Sequence, residues 1–140
     1  GGEIRCFGSP PAGQNVWRIG LQDPAANDVV NAGKPILILR LTDSAVATSG
    51  HYHRFVTIGG KKYSHIVDPE SGLSNESLAS VTIICPSAID ADALATAVTV
   101  MGKEKGLALI ETIPETEAIL ITSPPEYRVI KTSGAEKFID

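Results

Sequence analysis

This sequence predicts an α+β domain, an antiparallel-rich sheet packed on one buried helix and a shorter second helix. Three observations carry the expectation. Short strand-like runs bounded by Gly, Pro, Asn and Asp fill the chain as far as Cys85. One long apolar segment with helix boundaries follows, from Ser87 to Met101. Two more strand-like runs close the chain. At 140 residues, the length suits a single domain.

Taken in order, Gly1-Gly2-Glu3-Ile4-Arg5-Cys6-Phe7-Gly8 opens with a turn signal and enters a strand-like stretch already under way. Structured elements seldom start at a natural terminus, so a piece of a longer protein is expected. Trp17 to Leu21 reads as a strand ended by Asp23-Pro24, and Ala25 to Lys34 as a surface loop. Pro35 to Leu41 is strongly apolar, and its continuation reaches Ala45-Val46-Ala47-Thr48. The runs His53 to Ile58 and Lys62 to Val67 flank Gly59-Gly60, which predicts a β-hairpin. Asp68-Pro69-Glu70-Ser71-Gly72 is a turn, with Pro preset for its second position. Leu78 to Cys85 is a further strand stopped by Pro86.

Ser87 followed by Asp90 resembles a capping box, and Gly102 supplies a C-terminal stop. The helix between them is apolar all round, which predicts burial on most sides. A second helix is expected over Lys103 to Glu111, then strands at Ala118 to Thr122 and Tyr127 to Lys131, separated by Pro124-Pro125. There is no internal repeat or low-complexity tract.

Composition narrows the function classes. Hydrophobic residues at 43% and charged residues at 20% match an ordinary globular chain and exclude a disordered tail or a collagen-like fibre. No apolar run reaches the roughly 18 residues of a membrane span, and no stretch reads as a signal peptide. A net charge of −4 and a pI near 5.3 leave no basic stripe for a nucleic-acid backbone, so no nucleic-acid partner is expected. Cys6 and Cys85 are too few for a disulfide scaffold and too far apart for a CxxC pair; both are expected as half-buried thiols on strands.

Several residues have the chemistry for a site. Asp92 and Thr96 lie four apart and share a helix face, too deep in the helix for Asp92 to act as a cap. A carboxylate plus a hydroxyl suits a hard cation such as Mg²⁺, with phosphate and water in the other positions. The alternatives are a salt bridge for Asp92 and, for Thr96, a hydroxyl bonded back to the carbonyl of residue 92. His65 ends the hairpin where strand meets turn, a place where sites often form; it is equally open to a purely structural role. His51 and His53 alternate along a strand and could seed a metal site, but a solvated strand face suits them better, as it does the Tyr52-x-Arg54 pair. Thr48-Ser49-Gly50 is a small hydroxyl-rich turn whose backbone can approach a phosphate, which makes Ser49 and Gly50 candidate cofactor-binding residues.

These pieces together resemble the ApbE-type FAD:protein FMN transferases. The carrying segments are Gly1-Gly2-Glu3-Ile4; Val16-Trp17-Arg18-Ile19-Gly20-Leu21-Gln22-Asp23-Pro24; Ala47-Thr48-Ser49-Gly50-His51-Tyr52; Tyr63-Ser64-His65-Ile66-Val67-Asp68-Pro69-Glu70-Ser71-Gly72; and Ala91-Asp92-Ala93-Leu94-Ala95-Thr96-Ala97 with Val100-Met101-Gly102. They occur in the family's order and span nearly the whole chain.

The resemblance implies part of a T-fold-like flavin transferase, residues 1–140 being its C-terminal part and the N-terminal half lying outside this chain. It implies that FAD, the substrate, is cut at its pyrophosphate. FMN passes to a Thr or Ser hydroxyl of an acceptor flavoprotein, and AMP is released. On the matching positions, Mg²⁺ would be held at Asp92, Ala95 and Thr96, His65 would be the general base, and Val67 would line the flavin site. Ala95 has no ligating side chain where some relatives carry an acid, Ser71 stands for the usual Thr, and Glu70 for a basic or polar residue. The remaining metal ligand and most of the flavin pocket would lie upstream of Gly1, as would a lipid anchor that places the parent in the periplasm or on the outer face of a bacterial membrane. Other readings of the same residues are FAD hydrolysis to FMN and AMP, and a non-catalytic flavin-binding protein.

Overall fold

The structure, a computed structural model, describes residues 2–11, 13–26, 34–50, 55–59 and 61–140, with backbone alone for 55–58 and 61–63. His51, Tyr52, His53 and Arg54 lie outside the described residues, so the expectations placed on them are not addressed.

Three layers stack on a central sheet. Its five strands run in the order β1 (Glu3–Arg5), β4 (Ala45–Gly50), β7 (Leu78–Cys85), β8 (Glu117–Thr122) and β9 (Val129–Lys131). All their pairings are antiparallel. Successive side chains alternate between the two faces. Ala45, Ala47, Val81, Ile83, Ala118 and Leu120 therefore pack against α1 (Ala88–Met101) and α2 (Lys103–Ile110). The residues between them, including Val46, Ile84 and Ile119, face a hairpin of β2 (Trp17–Gln22) and β3 (Pro35–Leu41). Burial on both faces explains why β7 reads as a nearly unbroken apolar run, all eight of its residues being buried.

Several expectations change in detail. The apolar run from Pro35 does not continue as one element into Ala45–Thr48. Asp43 adopts a left-handed conformation (φ 43°) between β3 and β4, and the chain crosses from the hairpin to the central sheet. The glycine-turn hairpin forms as β5 (Phe55–Ile58) and β6 (Lys61–Ser64), so the second strand stops at Ser64 and leaves His65 to Val67 in the following loop. The last strand starts at Val129, two residues later than expected, because Tyr127 has φ 46°.

The largest correction concerns α1. Ser87 caps it, its hydroxyl accepting from the Asp90 amide at 3.3 Å as the sequence predicts. Burial, however, is confined to one side, that of Ala91, Ala95, Val98 and Thr99. Ile89 is 82% exposed on the other.

The C-terminus ties the layers together. A 3-10 helix at Ala135–Phe138 packs on the hairpin side of the sheet, and Asp140 reaches β2 through an ion pair with Arg18 and β3 through its amide to the Ile38 carbonyl at 3.0 Å. The cysteines occupy opposite faces, Cys6 with the hairpin and Cys85 with the helices, and both are free thiols. Among the described residues, no helix is long and apolar enough to cross a membrane.

Candidate functional site

A cleft of about 780 Å³ opens where the hairpin, the free end of β4 and α1 meet. One wall is apolar, formed by Ile19 and Leu21 of β2 with Val46 of β4. The other is polar and combines Ser49 of β4, Asp92 and Thr96 of α1, and Glu3 of β1. The pleat of β4 explains the split: Val46 and Thr48 look toward the hairpin, whereas Ser49 looks toward α1. The Ser49 and Thr96 hydroxyls accordingly stand 3.5 Å apart.

Close approach at the cleft explains the glycine at position 2. A Cβ there would lie 2.7 Å from the Thr48 carbonyl oxygen, so only glycine lets β1 start against β4. That placement swings Glu3 over the helix. The Gly2 amide donates to Glu3 Oε1 at 3.1 Å, and backbone N–H groups hold this carboxyl below the usual carboxylate range. Glu3 and Asp92 line the same cleft. Glu3 does not stand out by sequence spacing; the signal available is an acid directly after Gly-Gly at the head of a strand.

The loop after β6 supplies the rim. His65 and Val67 both line the cleft, Val67 being 46% exposed. The turn at Asp68 holds them there. Asp68 accepts from the Ser71 hydroxyl at 2.7 Å and from the Glu70 amide at 3.1 Å, which keeps its carboxyl below the usual range. Its own carbonyl accepts from the Gly72 amide, and its amide donates to the Leu73 carbonyl. Ser71 thus performs the turn-closing role with a hydroxyl alone.

Of the residues expected at a site, the structure brings Ser49, Gly50, His65, Val67, Asp92 and Thr96 into this one cleft. Ala95, of which only the backbone could contribute to a metal site, is not among the residues lining the cleft. Its methyl is fully buried against the sheet, and its carbonyl accepts the Thr99 hydroxyl at 2.8 Å. The hydroxyl-to-carbonyl back-bond considered for Thr96 is thus the one made by Thr99. No Lys or Arg stands within ion-pair distance of Asp92 among the described residues. Carboxylate and hydroxyl oxygens are hard donors, so the donor set of Asp92, Thr96, Ser49 and Glu3 fits a cation of the Mg²⁺ kind. Among the described residues there is no cluster of three or more His, Cys, Asp or Glu able to hold a metal alone.

A strand-bounded cleft with an apolar wall opposite an oxygen-rich one has the make-up of a small-molecule site, apolar lining with a few convergent polar groups. Likeness to known proteins makes the class specific. The ApbE family profile matches residues 1–120, and the chain belongs to that family. It is 38% identical over 134 residues to the FAD:protein FMN transferase of Treponema pallidum, covering 95% of this chain and 34% of that protein. Against the Vibrio cholerae protein of the same name it is 34% identical over 140 residues, covering 99% and 40% respectively. The crystal structure of the ApbE protein from Thermotoga maritima superposes with a TM-score of 0.83 at 31% identity, covering all of this chain and 43% of that one. The apo flavinyl transferase ApbE of Pseudomonas stutzeri gives 0.75 at 34% identity, covering 98% of this chain and 41% of that one. The chain therefore spans roughly a third to two-fifths of the length of these relatives.

Proposed function

We propose that this chain forms one wall of the site at which an ApbE-family protein transfers FMN from FAD to a Thr or Ser hydroxyl of an acceptor flavoprotein. The observation that carries the reading is the convergence of Asp92 and Thr96 with His65 and Val67 on one cleft, although a helix and a distant loop supply them. Asp92 and Thr96 would hold Mg²⁺, with Ser49 beside them. Bound there, the cation would offset charge growing on the FAD pyrophosphate. Val67, Gly50 and the apolar wall of Ile19 and Leu21 would seat the flavin end. His65, exposed on the rim, would take the acceptor's hydroxyl proton as its oxygen bonds to the FMN phosphorus, while the bond to the AMP phosphate breaks and AMP leaves.

The test is Asp92→Asn in the full-length protein, the amide preserving shape while removing the ligand charge. Incubated with FAD, Mg²⁺ and an acceptor peptide, the variant should lose flavinylation by about 10²-fold or more. Calorimetric titration with Mg²⁺ should show the loss directly. Asp90→Asn, at the helix start, should retain both. Normal Mg²⁺ binding and turnover in Asp92→Asn would remove the cation assignment. In the wild type, free AMP without flavinylated peptide would favour hydrolysis, and unchanged FAD would favour a flavin-binding protein.

A further inference from the structure

The two halves of the proposed site sit on elements that strand pairing does not join. Asp92 and Thr96 are on α1, and with Val100 they make a cleft-lining row of residues four apart. His65 and Val67 stand at the start of the loop formed by residues 65–77, between β6 and β7. That loop enters from the β5–β6 hairpin, which is a sheet of its own. The placement of His65 relative to α1 therefore falls to contacts outside the strand ladders.

Asn75 makes such a contact. Its Nδ2 donates to the Val100 carbonyl at 3.2 Å, and its Oδ1 accepts from the Ser77 amide at 3.1 Å. One side chain thus holds the exit of the loop to the end of the helix. The carbonyl it takes is among the last four of α1, which have no partner further along the helix. No basic residue stands in that last turn to serve them. Gly102 makes the room, since a Cβ there would come within 2.7 Å of Asn75 Nδ2. Between Asn75 and Val67 the loop is stiffened. The Asp68 amide donates to the Leu73 carbonyl at 2.9 Å, the Gly72 amide to the Asp68 carbonyl at 2.8 Å, and the Leu73 amide to the Ser71 hydroxyl at 3.3 Å. A shift at Asn75 is passed along such a unit rather than absorbed in it.

We infer that Asn75 is a positioning residue for the site: through the Val100 carbonyl it sets the loop that carries His65 and Val67 against the helix that carries Asp92 and Thr96. Asn75 does not itself line the cleft. The inference rests on the reading in which His65 takes the acceptor's proton and Asp92 and Thr96 hold Mg²⁺.

The test uses the full-length protein, with Asn75→Asp and Asn75→Ala beside Glu76→Gln, a control at an exposed neighbour. Aspartate keeps an oxygen for the Ser77 amide and removes the donor to Val100. Alanine breaks the link without adding a charge, so one variant serves if the other folds poorly. In both, flavinylation of an acceptor peptide should lose about 10-fold in kcat, while KM for FAD and the calorimetric Mg²⁺ affinity stay within about two-fold of wild type. Hydrogen exchange followed by mass spectrometry should be at least about 10-fold faster over residues 65–77 and unchanged over β7. Glu76→Gln should match wild type in every readout. A link that only adds stability would quicken exchange and leave kcat of the folded protein alone, which overturns the proposal; so does unchanged exchange in both variants. Wild-type protein that flavinylates nothing would instead remove the transfer reading on which the proposal rests, an outcome distinct from wild-type kcat in the two variants.

Discussion

Replacing Gly102 with alanine tests the joint that holds α1 and α2 together. Gly102 closes α1 with its amide on the Val98 carbonyl at 2.9 Å, and its own carbonyl receives the Gly106 amide, also at 2.9 Å. Its φ of 79° and ψ of 179° lie in a region open almost only to glycine, and forcing another residue there costs about 1–3 kcal/mol. The new methyl would also sit 2.7 Å from Asn75 Nδ2, the group that donates to the Val100 carbonyl at 3.2 Å. Displacing that side chain forfeits one hydrogen bond, about 1 kcal/mol. The sum is about 2–4 kcal/mol, which for a domain of this size lowers Tm by roughly 8–16 °C. Calorimetry and far-UV circular dichroism on the 140-residue chain measure it, their agreement testing two-state behaviour. If backbone strain dominates, Gly102→Ala should cost nearly as much in an Asn75→Ala background, where the collision is gone. A drop below about 3 °C in the single variant, or full relief in the double one, would refute the reasoning.

Two further outcomes are expected. His65→Ala in the full-length protein should slow flavinylation by about 10²-fold while leaving FAD affinity, measured by flavin fluorescence quenching, nearly unchanged; an unchanged rate would make His65 a structural residue of the loop. Burial pushes both the Cys6 and Cys85 thiols up. In the unfolded chain these thiols ionise near pH ~8.5, whereas the folded state resists losing the proton, so stability should be complete below that pH and fall as pH rises beyond it. Urea midpoints between pH 7.5 and 10 would show it, and Cys6→Ala with Cys85→Ala should flatten the slope; a midpoint constant up to pH 10 in the parent chain would contradict the burial argument.

Punctuation and periodicity made most of the elements readable in advance. Gly59 and its neighbour marked the β5–β6 hairpin, Ser87 and Gly102 bounded α1, and Pro86 ended β7. Layering was not readable, because apolar runs do not say which face they cover: Pro35–Leu41 and Ala45–Gly50 look continuous and belong to different sheets. The all-apolar α1 predicted burial on most sides, and the structure buries one, since nothing among the described residues covers the stripe of Ile89 and Ala93. At the site, Asp92 and Thr96 stood out through helical spacing and family resemblance. Glu3 and the apolar wall of Ile19 and Leu21 did not, because their part depends on pairings between strands distant in sequence, β1 with β4 and β2 with β3.

Those long-range pairings also govern when the cleft comes into being. Its polar corner needs Glu3 of the first strand beside Asp92 and Thr96 of the helix, and its apolar wall needs the hairpin laid on the opposite face of the sheet. A partly folded chain that has joined only β7, α1 and β8 has no such corner. A molecule that binds only the finished cleft, at a concentration about 100 times its Kd, deepens the native state by about 2.7 kcal/mol relative to the unfolded chain. Occupancy of the cleft thus stabilises the edge strand and the hairpin in place together, since neither alone completes the site.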